Sequence, residues 1–169
     1  MLVESTNKVL HTKTQLVTQE QFDTYKNTLQ PIASLLVKTI YEQNALGVSA
    51  CQLGIDLAMF AMLVNDKIRI CVNPEIVGAS FNMIIMEEGC LSFPGLLLKV
   101  KRPEGVIARY FSLEGTETTE RLEGLEARVW MHEFDHCQGI CFTDRVGKLS
   151  LSMAKKKLDK KRKQNKNAK

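Results

Sequence analysis

Two histidines four residues apart, His132 and His136, are the residues of this chain best suited to chemistry. They stand in the run His132-Glu133-Phe134-Asp135-His136, within a stretch whose spacing is helical. Side chains four apart on a helix project from one face about one turn apart, so both imidazoles can bind one metal ion. Glu133 lies beside the first histidine and can transfer protons without binding the ion itself. The run therefore predicts a metal site that carries its own acid/base group.

A third ligand must come from another part of the chain. Downstream of the histidines the acids are Asp144 and Asp159, and there is no further histidine. Asp144 is close in sequence and remains open as a ligand. Cys90 is the better candidate, because it follows a strand-like run and a glycine, where a side chain can extend from the end of a sheet. A nearby divalent cation would lower the pKa of its thiol and hold it as thiolate.

The elements that must position these residues follow from the spacing of apolar side chains. A helix is predicted from Leu125 to Gln138, with His132 and His136 on one face. Between residues 57 and 122 short apolar runs alternate with turn residues, which is typical of antiparallel strands. No β-α-β alternation is visible. The predicted fold is α+β, with antiparallel strands packed around a central HExxH metal-binding helix.

Three further elements are predicted outside this region. The run Thr18-Gln19-Glu20-Gln21 reads as a capping box that opens an N-terminal helix over 19–44. Pro31 kinks that helix or divides it in two. Residues 44–54, with two glycines, predict a tight loop, and residues 149–158 predict a short helix.

Composition limits the class of protein. The chain has 169 residues, of which 44% are hydrophobic and 25% charged, so it predicts one folded domain over 1–150 with a tail over 151–169. No apolar stretch approaches the ~18 residues that span a bilayer, and no signal peptide is visible, so we expect a cytoplasmic protein with no membrane partner. Five cysteines are an odd number, which argues against a closed disulfide framework.

Three segments resemble, in order and spacing, the three signature motifs of peptide deformylases. They are Gly47-Val48-Ser49-Ala50-Cys51-Gln52-Leu53-Gly54, Glu88-Gly89-Cys90-Leu91-Ser92 and the HExxH run itself. The resemblance covers roughly residues 30–147. Each motif is short, but the three together are highly specific.

The resemblance implies a role for each matching position. Cys90, His132 and His136 would bind the metal, with water in the fourth place, and Glu133 would be the acid/base. Gln52 and the backbone N–H of Leu91 would stabilise the oxyanion. Gly47 would allow close approach of the substrate backbone. Glu88 would orient the site, paired with Arg102.

The resemblance also implies the reaction, the metal and the substrate. The family removes the N-formyl group from N-formylmethionyl peptides, commonly with Fe²⁺, although Zn²⁺, Ni²⁺ or Co²⁺ can occupy the site. The aliphatic side chains of Leu46, Leu125 and Val129 are candidates to line a pocket for the first side chain of the substrate.

This chain departs from the family pattern at several positions. Ala45 stands where the family usually has Gly, Ser49 replaces a usual Ala, and Met131 replaces a usual Gln. The N-terminal Pro-Asp-x-x-Leu element is not visible near residues 9–12. None of these changes removes a catalytic atom.

Two other functions remain open at this stage. A metalloprotease would use the same helix but leaves Cys90 and Gln52 without a role. The non-enzymatic alternative is a structural metal site or a deformylase-like protein that only binds peptides. A closed structural site would need four protein ligands, with Cys141 as a possible fourth. A vacant coordination position would favour the enzyme.

The end of the chain is strongly basic. Residues 155–169 contain nine Lys or Arg and one Asp, a net charge of +8, whereas the rest of the chain is mildly acidic. Such a segment attracts polyanions such as RNA. In the deformylase family a basic C-terminal extension can dock on the ribosome, so the ribosome is a candidate partner. The alternative is a disordered end that aids solubility.

Overall fold

The computed structural model describes residues 1–167, so the last two residues of the predicted tail, 168 and 169, lie outside the described residues. The α+β fold is confirmed. The described strands are β1 Gly47–Ser49, β2 Met59–Val64, β3 Lys67–Ala79, β4 Met83–Gly89, β5 Leu97–Pro103, β6 Gly105–Phe111 and β7 Glu117–Glu123. The α-helices are α1 Gln19–Asp23, α2 Leu29–Gln43, α3 Gly124–Cys137 and α4 Lys148–Asn167. Short 3₁₀ helices cover Lys8–His11, Ala50–Leu53 and Phe142–Arg145.

Every strand pairing is antiparallel. The main sheet has the order β1-β2-β3-β6-β7, and β4 and β5 form a separate two-stranded sheet. Side chains of β2 alternate between the two faces of the main sheet, as the period of a strand requires. Phe60 and Met62 pack with Trp130 of α3, whereas Met59 and Ala61 pack with the cluster that contains α2. The sheet therefore lies between two helices, and α3 is central.

The N-terminal helix is divided. The capping box between Thr18 and Gln21 is present, but α1 ends at Asp23 and α2 begins at Leu29. Pro31 lies in the first turn of α2, where the N–H that proline lacks has no partner within the helix. The break precedes the proline, and Asn44 ends α2 in the left-handed conformation, with φ of 49°.

Two predicted elements were wrong in extent. Residues 44–54 are not only a loop, because they contain β1 and a 3₁₀ helix. The short helix predicted over 149–158 is the 20-residue α4, which continues through the basic run. Lys and Arg are good helix formers and no Gly or Pro interrupts this run, so charge alone does not end it.

Strand β7 was not among the apolar runs recognised in the sequence. Its seven residues are largely polar, and only Leu122 is buried. It is recognisable only from its pairing with β6. No helix within residues 1–167 is long and apolar enough to cross a membrane.

Candidate active site

Helix α3 and the end of β4 bring one sulfur and two imidazoles together. Cys90 Sγ lies 3.3 Å from His136 Nε2, and the donor atoms of Cys90, His132 and His136 all lie within 4.8 Å of one another. Cys141 and Asp144, the alternative ligands, lie apart from this group and beside His11. A thiolate with two imidazoles suits a softer transition ion better than calcium or magnesium. The donor set therefore fits a three-ligand metal centre.

His132 is oriented by Glu88. Its Nδ1 lies 2.9 Å from Glu88 Oε2, which directs the opposite edge of the ring, with Nε2, away from the carboxylate. A carboxylate behind an imidazole is the usual support of a metal-binding histidine. Burial lowers the pKa of His132, but its hydrogen bonds with Cys90 and Glu88 raise it to about 10. Those two side chains therefore attract positive charge to this position.

His136 has the opposite electrostatics. It is almost completely buried, and burial together with the nearby His132 lowers its pKa well below the usual value. A neutral imidazole is the form that binds metal ions. The electrostatics of His136 therefore favour a ligand role.

Glu88 is held in turn by two buried arginines. Arg102 Nε and Nη2 donate to its two oxygens at 2.7 and 3.0 Å, and Arg128 Nη1 donates at 2.8 Å. Burial raises the pKa of Glu88, but hydrogen bonds with His132 and Arg102 outweigh it and hold the pKa far below its usual range. The carboxylate remains charged behind His132. Sequence reasoning missed Arg128, whose only signal was its place one helical turn before His132.

The ion-pair network continues through Asp135. Arg102 Nη1 donates to Asp135 Oδ2 at 2.6 Å, and Arg145 Nε donates to the same oxygen at 2.9 Å. Asp135 lies inside the HExxH run and is 2% exposed. The sequence offered the acid but not its partners. The network fixes α3 against β5 and against the 3₁₀ helix that follows α3.

Glu133 is enclosed by β1. It is 3% exposed, and its Oε2 accepts a hydrogen bond of 2.7 Å from Ser49 Oγ. A Cβ on Gly47 would lie 2.6 Å from Glu133 Oε1, so only glycine leaves room for this carboxylate. The sequence had related Gly47 to the substrate backbone alone. Burial raises the pKa of Glu133, which makes its carboxylate a stronger base.

Gln52 is fixed with its amide directed at the candidate metal centre. Its Oε1 accepts from the Ser49 backbone N–H at 2.9 Å, so the carbonyl end is anchored. Its Nε2 lies 3.3 Å from Cys90 Sγ and 3.4 Å from Ser92 Oγ. The amide N–H groups therefore lie beside the donor set. Leu91 follows Cys90 directly and lines the same cavity.

A cleft of about 500 Å³ opens over these groups. All of the site residues predicted from sequence line it except His136, which lies buried beneath: Leu46, Gly47, Gln52, Glu88, Cys90, Leu91, Leu125, Val129, His132 and Glu133. Leu46 and Leu125 are half-exposed at the rim, whereas Val129 is buried. Sequence reasoning did not assign Met86, Pro94 and Gly95, which also line the cleft.

The positions that depart from the family pattern have distinct surroundings. Ala45 lines the cleft, and its backbone N–H donates to Ile40 at the end of α2. Met131 is buried in the core with Trp130, and its carbonyl oxygen accepts a long 3.5 Å bond from Arg102. Ser49 differs from the other two because its side-chain hydroxyl donates a hydrogen bond to Glu133.

Comparisons of the sequence and of the structure with known proteins agree on one family. The family model described as polypeptide deformylase matches residues 1–152. The peptide deformylase of Thermotoga neapolitana is 36% identical over 134 residues, which cover 79% of this chain and 82% of that protein. A Synechococcus elongatus peptide deformylase in complex with actinonin superposes with a TM-score of 0.86 at 29% identity, covering 94% of this chain and 85% of that one. The Met-Ala-Ser-bound class I type b enzyme of Acinetobacter baumannii gives 0.81 at 28% identity, with coverage of 86% and 97%.

Proposed function

Because this chain belongs to the peptide deformylase family, we propose that Cys90, His132 and His136 hold the metal ion on which its activity depends. The chain is a metal-dependent hydrolase that removes the N-formyl group from nascent peptides. The single observation that carries the ligand assignment is the convergence of the three donor atoms within 4.8 Å beneath an open cleft.

We propose Fe²⁺ as the native ion, with Zn²⁺, Ni²⁺ and Co²⁺ able to use the same ligands. The soft thiolate and the two imidazoles support a transition ion. When bound, such an ion supplies Lewis-acid chemistry that activates water and polarises a carbonyl oxygen. Glu88 holds the His132 ring so that its Nε2 is available to that ion.

Glu133 moves the proton. Its carboxylate takes a proton from the attacking water and delivers it to the amine nitrogen that leaves with the peptide. Ser49 holds Oε2 by a 2.7 Å hydrogen bond, and this leaves Oε1, beside Gly47, to exchange the proton. The raised pKa of Glu133, which burial causes, supports this role, because a general base is most effective when its pKa approaches the working pH.

Gln52 and Leu91 stabilise the oxyanion. As the formyl carbon becomes tetrahedral, its oxygen gains negative charge that needs donors already in place. The Gln52 amide and the Leu91 backbone N–H supply them, and the bond from Ser49 N–H to Gln52 Oε1 prevents rotation of the amide. Loss of one such donor typically costs ~10²–10³ in rate.

The substrate is a formylated N-terminus with an unbranched apolar first side chain. Leu46, Leu125 and Val129 give the cleft an apolar wall. The Acinetobacter baumannii relative is bound to Met-Ala-Ser, a peptide that begins with such a side chain. Formylated chains arise at translation, so we place the enzyme in the translating compartment, the cytoplasm.

The basic face of α4 is the proposed contact with the ribosome. Leu151, Ala154 and Leu158 pack against the core, which leaves the lysines between them in solvent. The side chains proposed to contact phosphates are all exposed, although one of them, Arg162, also donates to the Pro94 carbonyl: Lys155, Lys156, Lys157, Lys160, Lys161, Arg162 and Lys163. An enzyme that acts on nascent chains works beside the ribosome, whose RNA carries many phosphates. Lysine binds phosphate as a point charge.

Glu133→Ala tests the division of labour at the site. We expect the variant to keep its metal content and to lose nearly all release of formate from a formyl-Met peptide. Glu104→Ala, at an exposed glutamate outside the cleft, is the matched control and should keep both. Full activity of Glu133→Ala would exclude Glu133 as acid/base, and loss of metal in proportion to activity would make it a ligand.

A further inference from the structure

A second group of metal-ligating side chains lies where the N-terminal segment meets the chain that follows α3. His11, Cys141 and Asp144 offer a nitrogen, a sulfur and a carboxylate oxygen, all within 4.8 Å of one another. Cys141 Sγ and His11 Nδ1 are 4.0 Å apart. We infer that these three residues bind a second divalent transition ion, with zinc the best match, outside the active site.

The hydrogen bond of His11 prepares it for this role. Its Nε2 lies 2.8 Å from the backbone carbonyl oxygen of Ser5. A carbonyl oxygen only accepts, so Nε2 carries the ring proton and Nδ1 presents its lone pair on the side of Cys141. A ligand histidine that donates its other N–H to a backbone carbonyl is the arrangement that fixes the tautomer in metal sites.

Asp144 is held beside the sulfur. Its Oδ2 accepts a 2.8 Å hydrogen bond from the Cys141 backbone N–H, at the start of the 3₁₀ helix Phe142–Arg145. Thiolate and carboxylate together carry two negative charges, which a divalent cation neutralises. One sulfur, one nitrogen and one oxygen form a mixed donor set that Zn²⁺ accepts.

The distances require little movement. In a tetrahedral zinc site, a sulfur and a nitrogen ligand lie about 3.6 Å apart, given Zn–S and Zn–N bonds of ~2.3 and ~2.0–2.1 Å. Closing the 4.0 Å separation needs a shift of a few tenths of an ångström by His11, which is exposed. Asp144 is exposed as well, so an ion can reach the buried sulfur from solvent.

The same geometry argues against a nucleophilic cysteine. In a Cys–His–acid arrangement the acid would bind the second ring nitrogen, but here that nitrogen binds the Ser5 carbonyl. Cys141 is fully buried, and burial, with the charge of Asp144, raises the pKa of its thiol to about 12. A buried thiol of this kind is a poor nucleophile without a cation beside it.

Such an ion would tie the two segments together close to α3. Leu10 offers its carbonyl oxygen to Cys141 Sγ at 3.7 Å, so the segments already touch. A Cβ on Gly139 would lie 2.6 Å from the backbone of Thr12, which shows how closely they pack. The ligands therefore lie on two backbones whose positions are already set.

Zinc stoichiometry tests the inference. Protein that carries its active-site ion is dialysed against buffered zinc, and the metals bound per chain are counted. We expect one zinc beyond the active-site ion in the wild type and none in His11→Gln or Asp144→Asn. Gln keeps a donor for Ser5, and Asn keeps an oxygen for the Cys141 N–H, so both variants preserve the local hydrogen bonds.

Two controls separate this site from others. Cys71→Ser removes a buried thiol that belongs to a different hydrophobic cluster and should keep the second zinc, whereas Cys141→Ser should lose it. His11→Gln should retain wild-type deformylation, because His11 does not line the cleft. An unchanged zinc count in His11→Gln and Asp144→Asn, or a wild type that binds only its active-site ion, would overturn the inference and leave the active-site proposal untouched.

Discussion

Ser49 Oγ donates a 2.7 Å hydrogen bond to Oε2 of Glu133, across 84 positions of sequence. The same hydroxyl also lies 3.1 Å from the Glu133 carbonyl oxygen. Ser49 is fully buried, so the bond is sheltered from water. The last residue of β1 thereby sets the orientation of the carboxylate on α3.

Ser49→Ala should lower kcat by roughly 10- to 150-fold and leave KM nearly unchanged, because a hydrogen bond to a charged group contributes ~1.5–3 kcal/mol and ~1.4 kcal/mol is tenfold. Steady-state kinetics on a formyl-Met peptide measures both constants. Ser49→Cys introduces a weaker donor of similar size, so its kcat should lie between those of the wild type and Ser49→Ala. Wild-type kcat in Ser49→Ala would show that Gly47 and burial alone position Glu133.

Glu88→Gln should weaken metal binding by ~10- to 100-fold, the usual effect of losing the group behind a ligand histidine. It also leaves Arg128 without its carboxylate and Arg102 with Asp135 alone, and breaking a buried ion pair costs ~3–5 kcal/mol of stability. Competition with a chelator measures the first effect, and urea unfolding the second. Glu75→Gln breaks the exposed pair with Arg109 and should change neither.

Substrate selectivity should follow the apolar wall of the cleft. Formyl-Met and formyl-norleucine peptides should react at similar kcat/KM, because norleucine replaces the sulfur of methionine by a methylene group of similar size and keeps the side chain apolar. Formyl-Asp peptides should react far more slowly, because the aliphatic side chains of Leu46, Leu125 and Val129 form no hydrogen bond with a carboxylate. Equal rates for formyl-Asp and formyl-Met would exclude this wall as the specificity pocket.

Tyr110 should make the fold sensitive to alkali. Burial and its 2.7 Å hydrogen bond to Glu120 raise the pKa of the phenol well above its usual value. The unfolded chain loses this proton near pH ~10 while the folded chain keeps it, so the free energy of unfolding falls as pH rises, by at most ~1.4 kcal/mol per pH unit. Urea unfolding from pH 8 to 11 should show a shallower decline in Tyr110→Phe. Parallel declines would contradict the assignment.

The charge of α4 should control ribosome binding, and this is best tested with variants that keep the packing of α4 against the core. Arg162 Nη2 donates to the Pro94 carbonyl at 3.0 Å, and Leu158 approaches Gly95, so deleting residues 155–169 would also disturb the rim of the cleft. Replacing Lys156, Lys160 and Lys163 by Glu reverses three of the positive charges and keeps those contacts. Ribosome binding should fall and hydrolysis of a short formyl-Met peptide should not.

Salt gives an independent measure of the same contact. Binding of the wild type to ribosomes should weaken steeply as salt rises, because each neutralised phosphate releases counterions. The triple Glu variant should show a smaller slope. Affinity that responds neither to salt nor to the substitutions would leave α4 as a solvated helix.

Local patterns in the sequence were sufficient for several elements. The capping box at Thr18, the helix of α3 and most strands depend on residues a few positions apart, so periodicity and turn chemistry predict them. The residues at which elements begin and end were predicted less well. Pro31 predicts a kink in the N-terminal helix or its division in two; the helix is divided, but the break lies before Pro31, which is in the first turn of α2. Strand β7 escaped notice, because an edge strand that buries one side chain has no apolar pattern of its own.

The sequence by itself determined which residue types could hold a metal and move a proton, since two imidazoles and a carboxylate within five residues share one helix. Only the tertiary structure decided what surrounds them. Ser49 and Gly47 enclose Glu133 from β1, and Cys141 lies beside His11, 130 positions away, instead of beside Cys90. These contacts depend on how strands and helices pack against each other, and no spacing along the chain encodes that distance.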